Sequence, residues 1–175
     1  IIINKIKVMY LDVNKAYSSF DSNLAKNEKN DCFVRALAVA TGSAYEAAHE
    51  KAKSSFGRPD KKGTPNENIV AQMLNYEMNG MTIGDNTYSV SVLGNNDTKN
   101  VYKLYGKKVL RQKTLKSFIE SHPKGTYIVT VAKHALTIKD GEVMDWNSNK
   151  FLPTRKIQGA YKIDSKEVNN QLKLF

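Results

Sequence analysis

GTYIVTVAKHALTIKDGEVMDW, residues 125–146, is the stretch whose reading decides the fold. Tyr127-Ile128-Val129-Thr130-Val131 is rich in β-branched residues and reads as a central strand. Residues 134–138 read as a second strand, and 142–146 return antiparallel across a tight turn at Asp140-Gly141. A two-residue turn there pairs Lys139 with Glu142 and, counting outward, Leu136 with Asp145 and His134 with Asn147. Asp145 then lies diagonal to His134. Even steps along a strand share a face, so His134, Asp145 and Asn147 point the same way. One extra residue in the turn would undo that arrangement.

Working outward, Thr114 caps a short helix over 115–120 that would bury Leu115, Phe118 and Ile119. Short strands are expected over 88–93 and 108–110, and a last strand over 155–163. Nearer the N-terminus the period changes. Phe33, Ala36, Leu37 and Ala40 recur at helical spacing from Asp31, and Gly42 stands at the C-terminal cap. Ser43, with Glu46 three residues on, spells a capping box for a second helix through Lys53. Thr64 and Pro65 read as cap and first-turn proline of a third helix carrying Ile69, Val70, Met73 and Leu74, closed by Asn79-Gly80. Residues 1–29 read as a polar lead-in, from which 2–10 could add an edge strand. The expected class is α+β, an N-terminal helical half packed on a C-terminal antiparallel β-sheet, as one domain over 30–175.

Composition narrows the function. Of 175 residues 41% are hydrophobic and 25% charged, enough for a sizeable core and against wholesale disorder. No apolar run approaches the roughly 20 residues of a membrane-spanning helix. Ile1-Ile2-Ile3 is too short for a signal peptide and lacks its flanks. With one cysteine, Cys32, a disulfide scaffold is excluded. The net charge is +10, yet only four of the 27 basic residues are arginines. A Lys- and Asn-rich profile is what an A+T-rich genome produces, and the guanidinium forks of specific phosphate recognition are scarce. Nucleic acid is therefore expected to bind only weakly and nonspecifically. The densest basic segment, 99–124, carries eight basic residues and one acid, Glu120. It reads first as a solvated lysine face and second as a docking surface.

Cys32 is where chemistry enters. It falls in the first turn of its helix, where partial positive charge stabilises a thiolate; a structural cysteine more typically sits on the apolar stripe in mid-helix. Asp31 before it would be the cap, and its charge would work slightly against the thiolate. His134 with a carboxylate or amide beside it is a base with an orienter, which a cysteine nucleophile needs. His49 and His122 lack partners at metal-ligand spacing, so neither metal nor cofactor is expected.

Asn30-Asp31-Cys32, with Arg35-Ala36-Leu37, Thr41-Gly42 and Tyr45-Glu46-Ala47-Ala48-His49, resembles a group of small papain-like proteins of bacteriophage genomes. So do Thr114, Phe118, Pro123, Gly125-Thr126-Tyr127, His134-Ala135-Leu136, Asp140-Gly141 and Asp145-Trp146. The resemblance covers residues 30–163. It implies a papain-like fold, similar in layout to the peptidase domains that trim double-glycine leaders from bacteriocins. By that resemblance Cys32 is the nucleophile, His134 the base and Asp145 the orienter, with Asn147 the alternative orienter. A peptide or protein is the implied substrate, other virion proteins are the implied partners, and host cytoplasm or virion is the implied location. One departure stands out. Papain-like peptidases usually carry an oxyanion-stabilising glutamine about six residues before the cysteine, where this chain has Lys26. Asn27 or Asn30 would have to supply that amide beside the backbone N–H of Cys32. A catalytically silent fold serving as a virion or host-interaction protein is the alternative.

Overall fold

The computed structural model describes residues 8–10, 22–95, 114–145 and 153–166. In chain order the elements are β1 (Val8–Tyr10), α1 (Asn23–Lys26), α2 (Cys32–Thr41), α3 (Tyr45–Ser54), α4 (Asn66–Asn79), β2 (Met81–Ile83) and β3 (Asn86–Asn95). They are followed by α5 (Leu115–Ser121), β4 (Thr126–Val131), β5 (His134–Lys139), β6 (Glu142–Asp145) and β7 (Ile157–Ser165). The class is α+β, as the order of periodicities implies. α1 lies within the stretch that reads as lead-in, and the expected strand over 108–110 lies outside the described residues.

Among the described residues one seven-stranded sheet runs in the order β1-β6-β5-β4-β7-β3-β2. Every pairing is antiparallel except that of β1, which lies parallel to β6 at the edge. Both faces of the sheet are covered. On one, α2, α3 and α4 bury Leu37, Tyr45 and Met73 with Ile128 and Tyr161. On the other, α5 buries Leu115 and Phe118 with Val129, Leu136 and Ile157. The expected two-layer packing is thus extended by a second helical layer. The apolar run of β4 shows why: a strand buried on both faces reads as continuous rather than alternating.

Local signals decide the ends. Asp140 and Gly141 both have positive φ, 49° and 77°, the type I′ geometry that a two-residue hairpin requires. Thr137 therefore pairs with Met144 and Lys139 with Glu142, the expected register. Gly42 ends α2 in the left-handed conformation, and Thr114 Oγ1 accepts from the Ser117 N–H to cap α5. Two expected caps are not made. Ser43 Oγ is engaged by the Thr41 hydroxyl at 2.9 Å, and α3 starts instead from Ala44 without a side-chain cap. Pro65, not Thr64, is the N-cap of α4, so the Thr64 hydroxyl is left over.

Candidate active site

α2 is almost wholly buried, and its N-terminus emerges at the edge of the helical layer with Cys32 as first residue, half-buried. The buried Thr137 Oγ1 donates to the Ala36 carbonyl at 2.8 Å, fastening α2 to β5. Two residues join β4 to β5, with Lys133 at φ 58°, and the Arg155 guanidinium donates to the Ala132 carbonyl in that turn. His134 is the first residue after it. The turn and the α2 anchor together bring His134 to Cys32.

His134 is 7% exposed and its Nε2–H donates to Asp145 Oδ2 at 2.9 Å. Asp145 is fully buried at the end of β6. The Cys32 thiol lies on the same cavity wall, near enough to the ring to raise its pKa together with Asp145. Burial works against the charged imidazole, but the hydrogen bond to the Asp145 carboxylate and its charge, with the nearby Cys32 sulfur, outweigh it. His134 is raised from 6.5 to about 9. The ring is thereby held as an imidazolium at neutral pH.

Asp31 stands in the N-cap position without capping. Its Oδ2 accepts from Arg35 Nε at 2.8 Å and from the Tyr45 hydroxyl at 2.7 Å. Its charge is absorbed by a neighbouring cation, which answers the concern that it would oppose a thiolate. Of the two oxyanion candidates, Asn30 lines the cavity beside Cys32, held at φ 51° by its Nδ2–H to the Lys61 carbonyl. Asn27 is exposed and donates to Asn23 within α1's own turn, and it does not line the cavity. Lys26 is exposed at the end of α1. Asn147 and residues 99–113 of the basic segment lie outside the described residues.

No family model matches this chain, and no curated protein or solved structure matches it. The site therefore stands on its geometry.

One supporting group had no sequence signal. Glu28 Oε2 accepts from Arg58 Nη1 at 2.6 Å and from His49 Nε2 at 2.7 Å, while Arg58 Nη2 donates to the Lys29 carbonyl. Burial pushes the Glu28 carboxyl up, and the hydrogen bonds and charges of Arg58 and His49 more than reverse it, leaving it below 4.5. The cluster ties the segment just ahead of Cys32 to α3 and to the 55–63 loop. Its members are 21 and 30 positions apart, beyond the reach of any spacing rule. His49 therefore has a partner, in an ion cluster. Among the described residues no three His, Cys, Asp or Glu side chains stand together as a metal site. No helix there is long and apolar enough to cross a membrane.

Proposed function

We propose that this chain is a papain-like cysteine peptidase or amidase of bacteriophage origin, acting on a peptide or protein. The observation that carries the reading is the His134 ring held between the buried Asp145 carboxylate and the Cys32 thiol. The residue-level resemblance over 30–163 adds to it.

In this reading Cys32 Sγ attacks the scissile carbonyl carbon as a thiolate. The backbone N–H of Cys32, in the first turn of α2, would serve the oxyanion, and the Asn30 amide, which also donates to the Lys61 carbonyl, is the second donor in this reading. His134 gives its proton to the leaving nitrogen as the C–N bond breaks, leaving a thioester. Water then attacks, His134 takes up its proton, and the acid leaves as the Cys32 thiolate is expelled and the thiolate–imidazolium pair restored. Asp145 keeps the ring oriented and balances the imidazolium through both halves.

Lys26 in place of a glutamine favours the second reading, the same site without turnover as a virion or host-interaction protein. Alkylation separates them. Cys32 is the single cysteine, so any iodoacetamide adduct reports on it alone. At about pH 6 an ordinary thiol is nearly unreactive. Wild-type protein is expected to label there, and His134→Gln to label at least about tenfold more slowly. Labelling no faster than that of the unfolded chain would overturn the catalytic reading.

A further inference from the structure

Beside Cys32 lies a cavity of about 480 Å3, bounded by the start of α2, residues 63–69, and strands β4, β5 and β7. That is within the roughly 300–1,000 Å3 of small-ligand sites. Its floor has a particular build. Thr130 on β4 pairs with Ala135 on one side and Gly159 on the other. Of these three paired residues the threonine alone has a polar side chain.

Thr130 is 3% exposed, and its hydroxyl has no hydrogen-bond partner among the described residues. Thr64, also in the lining, is half-buried, and its Oγ1 likewise is buried without a partner because Pro65 took the capping position. Buried hydroxyls are paired in most proteins, and an unpaired one that lines a cavity beside a reactive thiol needs an explanation. Both hydroxyl oxygens are closed to solvent as they stand, so a ligand group reaches one after a step in χ1 that exchanges hydroxyl and methyl.

Two charged groups of the wall already have partners. Asp31 is taken by Arg35 and Tyr45, and His134 by Asp145. Lys133, exposed in the β4–β5 turn, is the further charged residue of the lining. The polar side chains along residues 63–69, β4 and β7, namely Thr64, Asn66, Thr130 and Gln158, are neutral. A hydroxyl both donates and accepts, so two of them in one cavity lining suit a group that also does both.

We propose that this cavity is a specificity subsite for an uncharged carboxamide, the side chain of an asparagine or glutamine next to the scissile bond, bound through Thr130 and Thr64. The proposal rests on the peptidase reading and names its substrate class. A site built to hydrogen-bond a group discriminates sharply against analogues lacking it.

The test uses Cys32→Ser protein, which cannot form the thioester, titrated with three near-isosteric probes: the N-acetyl N-methylamides of glutamine, glutamate and norleucine. Backbone amide shifts give affinities and locate the probe. The glutamine probe should bind about fivefold tighter than the others, one neutral hydrogen bond's worth, and shift Thr64 and Thr130. Thr130→Val and Thr64→Val should each erase most of that preference. Both variants should melt no lower than the parent, because each removes a buried unpaired hydroxyl. Equal affinity for the three probes, preference for glutamate, no detectable binding, or a glutamine preference that survives both substitutions would overturn the subsite. Alkylation of wild-type Cys32 is read separately. Retained glutamine preference with an inert thiol sinks the peptidase and leaves the subsite; the converse sinks the subsite alone.

Discussion

His134 is a stability element as well as the proposed base, and its charge gives the sign. Its folded value, about 9, lies above the ordinary 6.5. The imidazolium's stabilisation is therefore complete below pH 6.5 and is lost as pH rises through 9. Urea midpoints should fall across that window, and in Asp145→Asn the fall should shrink. The neutral amide keeps a hydrogen bond to the ring but no charge, so Asp145→Asn is expected to lose about 1–3 kcal/mol near pH 6. An unchanged midpoint from pH 6 to 9 in the wild type would show that the ring is not held charged. That His134 and Asp145 share a face was legible from the sequence because Asp140-Gly141 fixes a two-residue turn, and that turn fixes every register position outward from it. The register put Asn147 directly opposite His134, and the choice of Asp145 came from its carboxylate and the resemblance. The approach of Cys32 to His134 came from the resemblance alone, since it depends on how α2 crosses β5.

At the scale of elements, α2 owes its position to groups on other elements. Arg35 and Tyr45 hold the residue before Cys32, and the Glu28–His49–Arg58 cluster holds the turn before that. Arg58 and Glu28 side chains are 2% and 3% exposed, so removing one leaves the other charged and buried. Arg58→Ala should lower stability by about 3–5 kcal/mol in urea unfolding, with a smaller loss for Glu28→Gln. A loss under about 1 kcal/mol for Arg58→Ala would mark the cluster as solvated. Glu28 has its folded value lowered, so its contribution is present above 4.5 and fades as pH falls through the folded value. Acid should therefore weaken the wild type more than Glu28→Gln. Signals within one turn of helix, such as Thr114 and Gly42, could be read from sequence. Ser43-Glu46 and Thr64-Pro65 carried the same local signals and misled, because the Thr41 hydroxyl and the Pro65 conformation competed for those ends.

For the whole molecule the sheet is the common wall of two cores. Ile128 faces the helices α2–α4 and its neighbour Val129 faces α5, so successive residues of β4 serve opposite layers. The sequence shows β4 as a continuous apolar run without saying that two layers cover it; a long helix period announces α2–α4, whereas α5 has only seven residues. Two cores sharing one backbone should not unfold separately, because loosening either exposes the same strand. Leu37→Ala in the first core and Phe118→Ala in the second both empty fully buried positions. Each should cost about 2–5 kcal/mol. Near- and far-ultraviolet circular dichroism should follow one coincident transition in both variants. The double variant should lose the sum of the two within about 0.5 kcal/mol, since the sites share no partner. A second transition in Phe118→Ala, with the Cys32 face still folded, would mean that α5 and its side of the sheet are a separable layer, and that the candidate site stands on the helical layer alone.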